Sequence, residues 1–237
     1  MFYSYDDKCF EYEVKYSNRK SIEIRIEPGG KVVFKAPKKT PDHIILEVIE
    51  KRLKWIDEKL SVVENAFKSR EFETGTMVYY LGEKVPLKII RRKTDRGQIS
   101  FVDNEFILIL PEDYTSEHIK EMLIAMYKKM LTPLIKKRIN HYQDHFRIKP
   151  EKVTIRDQKT RWGSCSSSRT LSFNYRLLMA PQSVIDYIVV HEMTHLEHMN
   201  HSKSYWKRVH EVMPDYKSKE KFLKEKGMFL NFEWEAI

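Results

Sequence analysis

The sequence predicts an α+β chain: an N-terminal region rich in β-hairpins with one long helix, then a half in which helices enclose a small antiparallel sheet. Period-two runs broken by glycine or Asp-Asn recur through the first half. Two long stretches keep a helical apolar period. The order changes from strand-helix-strand to helix, small sheet, helix. With 237 residues the chain has ample core for one large domain or two small ones. The change of pattern near residue 112 divides it into 1–112, a β-rich α+β domain, and 113–237. No internal repeat is visible.

Residues 10–37 alternate in three runs, EYEVKY, SIEIRIE and KVVFKAP, the last two separated by Gly29-Gly30. Such runs are hairpin signals. Thr40-Pro41-Asp42 opens the first long helix, with Ile44, Ile45, Val48, Ile49, Leu53, Ile56 and Leu60 at helical spacing. Two hairpins follow, with turns at Leu81-Gly82-Glu83-Lys84 and Asp103-Asn104. A second long helix starts near Ser116 and directs Ile119, Met122, Leu123, Met126, Met130 and Leu134 to the core, its methionines filling gaps. Pro133 is expected to kink or interrupt it. Lys136-Lys137-Arg138 reads as a solvated face. KVTIRD reads as a strand, TRWGSCSSSRTLSFNYRLLMAP as paired strands, and Pro181 as the first-turn proline of a buried helix. SKSYWKRVHEVM and SKEKFLKEKGMFL are two further helices.

A formal charge of +9 favours an anionic partner, so nucleic acid or a nucleotide stays open. Two cysteines, Cys9 and Cys165, make no disulfide framework. There is no basic-then-apolar leader and no apolar run approaching a bilayer span. The expectation is a soluble cytoplasmic protein that does not contact a membrane.

The chemistry concentrates in VIDYIVVHEMTHLEHMNHSKSYW. His191 and His195 are four residues apart, which puts both imidazoles on one helix face and within reach of one ion. Glu192 stands one residue round the helix, beside the open coordination position, where a general base belongs. This H-E-x-x-H after an apolar run predicts a zinc-dependent hydrolase, foremost a peptidase. A catalytic zinc usually takes a third protein ligand. His198 lies one turn beyond His195 and is out of reach if the helix continues. His201 follows Asn200, a residue that tolerates the left-handed conformation ending a helix, and is the preferred ligand. Glu211 on the next helix is the remaining choice.

Arg161-Trp162-Gly163-Ser164-Cys165, Leu171-Ser172-Phe173-Asn174-Tyr175-Arg176-Leu177, Ala180-Pro181, Asp186 to Glu192, Asn200-His201-Ser202, Trp206 and Met213-Pro214-Asp215-Tyr216 resemble the YgjP-like metallopeptidases, relatives of the WLM and SprT-like zinc proteases. The likeness runs over roughly residues 150–220. It implies a zincin-like C-terminal domain, Zn2+ on His191, His195 and His201, and Glu192 as the catalytic acid/base. The ligand interval equals that of metzincins, but His198 replaces their glycine, so that label does not carry over.

Thr194 fits close helix packing, and Cys165 reads as a structural thiol. The paired strands at 161–166 and 170–177 offer an edge for an extended peptide. Asn174 and Arg176 either orient the helix or bind an anion. Tyr216 either packs in the core or donates to an oxyanion. Two readings stand beside peptide hydrolysis. One is nucleoside triphosphate pyrophosphohydrolysis, with Arg161, Arg169 and Arg176 clamping phosphates. The other is a DNA-associated protease recruited by its basic surface.

Overall fold

The computed structural model of the chain describes residues 1–6, 8–26, 30–67, 71–158, 161–227, 230 and 232, with the side chains of all of these but 62–67. Gly29, Thr160 and the 228–229 end of the last expected helix lie outside the described residues. The fold is α+β, and the chain divides into two compact units, Met1–Arg70 and Glu71–Ile237.

In the first unit the three alternating runs are strands, joined by one the alternation did not announce. These are β1 (Phe2–Tyr5), β2 (Lys8–Ser17), β3 (Glu23–Ile26) and β4 (Val32–Pro37). Their order is β1-β2-β4-β3. β3 and β4 form the expected hairpin, but β2 pairs in parallel with β4 and leaves β3 at the edge. Helix α1 (Asp42–Phe67) buries Ile45, Ile49, Ile56 and Leu60 against Phe10, Val32 and Phe34, while Ile44, Val48 and Leu53 are half-buried. Four or so turns of one apolar stripe on one sheet face give this unit its own core.

The second unit repeats that plan. β5 (Met77–Tyr80), β6 (Glu83–Arg91), β7 (Gln98–Val102) and β8 (Glu105–Leu110) are ordered β5-β6-β8-β7, again with a parallel central pair, β6 with β8. A long helix again follows, α2 (Ser116–Tyr142). The sequence shows no repeat because side-chain identities differ while the path of the backbone recurs. Both expected turns are present as two-residue loops with positive φ, Leu81-Gly82 and Asp103-Asn104, the geometry that matches strand twist.

Helix α2 runs through Pro133 without a break. A proline there costs about 3 kcal/mol or more, but six side chains of one stripe are buried, Ile119, Leu123, Tyr127, Leu131, Ile135 and Ile139. At about 1.5–3 kcal/mol each, burial wins. Met122, Met126, Met130 and Leu134 flank this stripe as half-buried neighbours. One continuous core joins Phe106 and Leu108 of β8 to Tyr127 of α2 and on to Phe173, Tyr175 and Val189. The compact units therefore part at Arg70–Glu71, not near 112: β5–β8 share their core with the C-terminal helices.

Beyond a 3-10 turn at Gln143–His145 come β9 (Lys152–Arg156), β10 (Gly163–Cys165) and β11 (Thr170–Asn174), ordered β10-β11-β9, then a 3-10 turn at Tyr175–Met179. Helices α3 (Gln182–Thr194), α4 (Lys203–Val212) and α5 (Tyr216–Lys226) complete the unit. Pro181 is the N-cap of α3, one position before the first turn. The Leu81-Gly82 turn docks on this entry, with Leu81 N–H donating to Leu178 O (2.7 Å) and no room for a side chain at Gly82 against Pro181.

Nearly all of α3 is buried, including Asp186. Its carboxylate receives two bonds from Arg138 of α2, Nε to Oδ1 at 2.5 Å and Nη2 to Oδ2 at 2.9 Å. Arg138 is therefore not part of a solvated face with Lys136 and Lys137; it ties α2 to α3. The partners are 48 residues apart, beyond any local pattern. No described helix is long and apolar enough to cross a membrane.

Candidate metal centre

The site grows from the end of α3. His191 and His195 share a helix face, and α3 ends at Thr194 with His195 as its C-cap. Leu196, Glu197 and His198 close the last turn through N–H bonds to Met193 O, Thr194 O and Thr194 O. The reversal begins there, earlier than Asn200, which is not among the left-handed residues. Ser202 then caps α4, its hydroxyl accepting from Tyr205 N–H. The six-residue return brings His201 Nε2 to 3.1 Å from His195 Nε2 and 3.4 Å from His191 Nε2.

All three nitrogens lie within 4.8 Å of one another. Three nitrogens at 2.0–2.1 Å from a tetrahedral ion would stand about 3.3 Å apart, close to the observed spacings. Burial first, then the neighbouring His195 and His201, pushes His191 down to about 3. Burial also lowers His195, opposed by its bond to His198 O. That bond, Nδ1–H to O at 3.0 Å, fixes the tautomer and leaves Nε2 as an electron-pair donor aimed into the cluster. A cation between the three nitrogens would be held by such electron pairs.

Glu192 is 3 % exposed. Its carboxyl lies against Gly163 of β10, where an added Cβ would fall 2.5 Å from Oε1 and 2.7 Å from Cγ. Oε2 is buried without a hydrogen-bond partner. Burial pushes the carboxyl up to about 8, against the opposing pull of Arg161. A cavity of about 560 Å³ opens over these groups, walled by Arg161 to Cys165, Tyr187, Ile188, Met199 and, from α5, Glu220, Leu223 and Lys224.

A family model described as YgjP-like, metallopeptidase domain, matches residues 20–226. The chain belongs to the YgjP-like metallopeptidase family. No curated protein matches it. Among solved structures, the crystal structure of the metallopeptidase zymogen of Pyrococcus abyssi abylysin is similar at 22% identity, over 44% of this chain and 99% of that chain, with a TM-score of 0.35. Family membership implies a metal ion and a peptide or protein substrate, and the His191, His195 and His201 cluster fits the ion.

The other candidates stand elsewhere. His198 lines a separate cleft with Arg147 and Arg208, and Glu211 pairs with Arg208 at 3.0 Å. Asn174 is buried, and its amide nitrogen donates to Gln158 O (2.6 Å) and Arg161 O (3.1 Å) while its oxygen accepts from Arg176 N–H. It thus holds the strand entering β10. Arg176 pairs with Asp157 at 2.5 Å and covers the Tyr175 ring. Tyr216 stacks on Trp206 and Tyr187. None of the three lines the cavity. The Cys165 thiol does line it and is pushed up to about 11 by burial and then by Glu192, which favours the protonated form. Thr194 is buried, its hydroxyl donating to Val190 O at 2.7 Å.

Three supports had no role assigned from the sequence, although Gly163 and Trp206 belong to the blocks that carry the resemblance. Tyr205, fully buried, donates its hydroxyl to His191 O at 3.0 Å and packs its ring on His195 and His201. Trp206 stacks on His201 at 5.6 Å. Gly163 leaves the space that Glu192 fills. The spacing of Tyr205 and Trp206 just after His201 is a signal for the first two; for Gly163 the block Arg161–Cys165 is the signal, though not of the space it leaves.

Proposed function

We propose that the chain is a zinc metallopeptidase with a zincin-like site, in which His191, His195 and His201 hold the ion and Glu192 is the general acid and base. The observation that carries this is the convergence of three imidazole nitrogens, two of them 3.1 and 3.4 Å from His201 Nε2, beside a buried, unpartnered carboxyl. An all-nitrogen set of three at tetrahedral spacing suits zinc. Bound there, zinc supplies a Lewis acid that polarises a carbonyl and acidifies water. Glu192, which lines the same cavity as the three imidazoles, takes the proton from the attacking water on its carboxylate and returns it to the leaving amine nitrogen. Its place beside the cluster supports this, because a cation held by the three imidazoles would favour the carboxylate form that accepts the proton. β10 is an edge strand lining the cavity, so its outer backbone groups can hold an extended substrate by main-chain bonds.

The phosphate-clamp reading loses two of its three arginines: Arg169 pairs with Glu151 at 3.0 Å and Arg176 with Asp157 at 2.5 Å. Recruitment to DNA by the α2 cluster loses Arg138 to Asp186. The test is purified, zinc-loaded protein offered a peptide library, a nucleotide panel and DNA in parallel, with Glu192→Gln as control. Peptide cleavage that disappears in the variant supports the proposal. Nucleotide cleavage without peptide cleavage overturns it.

A further inference from the structure

We propose that the groove between β3 and α1 in the N-terminal unit docks an extended polypeptide segment bearing a carboxylate between two apolar side chains, and so recruits substrate; the recruitment rests on the peptidase reading above. The groove, about 470 Å³, is lined by Ile22 and Ile24 on one wall and by Val48, Lys51, Arg52 and Trp55 of α1 on the other. One wall is a sheet edge. β3 pairs with β4 and with no other described strand, and in an antiparallel ladder every second residue turns its N–H and C=O outward. Such an edge takes another strand, which selects a polypeptide over a compact ligand.

The second unit shows the same corner filled. There β7 and α2 take the places of β3 and α1 in the same strand order. Counted from the first residue of each helix, Met122 of α2 answers to Val48 of α1, and Tyr114 to Thr40. Met122 and Tyr114 pack so tightly on Gly97, just before β7, that a Cβ there would lie 2.8 Å from Sδ and 2.7 Å from the Tyr114 ring. The Tyr114 hydroxyl also accepts from Gly97 N–H at 3.3 Å. In the first unit Ile22 stands where the second has Gly97, and Val48 and Thr40 stand where it has Met122 and Tyr114; the groove between Ile22 and Val48 is open.

Charge and spacing name the occupant. Trp55 is 38 % exposed, an aromatic ring facing solvent beside the groove. Lys51 has only a loose, exposed pairing with Glu47 at 3.6 Å, and Arg52 has no acidic partner among the described residues. Glu23, the acidic residue of β3, is already neutralised by Arg19 and Arg25. The helix wall thus reads apolar, cationic, apolar. Val48 to Trp55 spans about 10 Å at 1.5 Å per residue, close to the roughly 13 Å between residues i and i+4 of a strand. The matching segment is apolar-x-acidic-x-apolar.

The test uses the full chain carrying Glu192→Gln, so that no probe is cut, and fluorescein-labelled Gly-Gly-Leu-Ser-Glu-Ser-Leu-Gly-Gly followed by anisotropy. Binding should weaken about tenfold or more, roughly 1.4 kcal/mol, when the peptide glutamate becomes lysine. Backbone N-methylation between the leucines should do the same. Arg52→Glu should reverse the preference between the acidic and basic peptides, and Trp55→Ala should weaken both; these surface changes leave the buried stripe of α1 intact. No binding up to about 1 mM, or equal binding of acidic and basic peptides, overturns the groove. For recruitment, Leu-Ser-Glu-Ser-Leu is fused to a peptide the active chain cleaves. Its kcat/KM should rise about tenfold, and not in Arg52→Glu, which should cleave the unfused peptide at the parent rate. Binding without that rise overturns recruitment. Binding intact with no peptide cleaved at all supports the groove and refutes the peptidase reading on which recruitment rests.

Discussion

Glu192→Gln separates two consequences of one buried carboxyl, a gain in stability without metal and a loss of hydrolysis with it. The side chain is 3 % exposed, Oε2 has no partner, and burial lifts the group from the ordinary 4.5 to about 8. At about 1.4 kcal/mol per pH unit, ionising it in the folded, metal-free chain costs about 5 kcal/mol, of which roughly 3 is already incurred at pH 7. A group raised on folding contributes fully below its unfolded value, and its contribution is lost as pH rises through the folded one. Stability of the metal-free chain should therefore fall between pH 4.5 and 8 on account of Glu192. His191 acts in the opposite sense: held down at about 3, its contribution is present above 6.5 and lost as pH falls toward 3. Glutamine keeps the shape and cannot ionise. In chelator, urea unfolding of the parent and Glu192→Gln should differ little near pH 4 and by about 3 kcal/mol in favour of the variant at pH 7. With metal restored, hydrolysis by the variant should fall on the order of a hundredfold or more. A stability difference that does not change with pH would refute the buried, uncompensated carboxyl.

The metal assignment predicts about one zinc per chain, lost in His191→Ala, His195→Ala and His201→Ala and kept in His198→Ala and Glu211→Ala, by elemental analysis. Full occupancy in His201→Ala together with loss in His198→Ala would reassign the third ligand. Arg138→Ala should cost about 3 kcal/mol or more by leaving Asp186 buried and unpaired, whereas Lys136→Ala with Lys137→Ala should stay within about 0.5 kcal/mol; equal urea midpoints for the two would remove the role given to the ion pair. Gly163→Ala should displace Glu192 and lower kcat at least about tenfold with zinc content unchanged; an unaltered kcat would mean that the carboxyl moves freely.

What the sequence determined by itself is local. Alternation made strands of EYEVKY, SIEIRIE and KVVFKAP, and Leu81-Gly82 and Asp103-Asn104 took the positive φ of tight turns, because side-chain direction and turn geometry depend on near neighbours. The four-residue interval likewise put His191 and His195 on one face. The histidine cluster was legible to that extent, and His201 joins it through a loop short enough to leave few paths back.

Tertiary structure decided whatever joins distant residues. Nothing in a period of two distinguishes a parallel partner from a hairpin partner, so the pairing of β2 with β4 and of β6 with β8 had no local signature. The unit boundary moved to Arg70–Glu71 because the α2 stripe is shared between β5–β8 and the C-terminal helices. Arg138 belongs to Asp186, 48 residues away. Asn174 and Arg176, read as candidate contacts, spend their hydrogen bonds on the strand entering β10 and on Asp157. Glu192 owes its weakened acidity to burial against Gly163: the sequence names the carboxyl, but desolvation is a property of the packed surroundings, and only the fold supplies them.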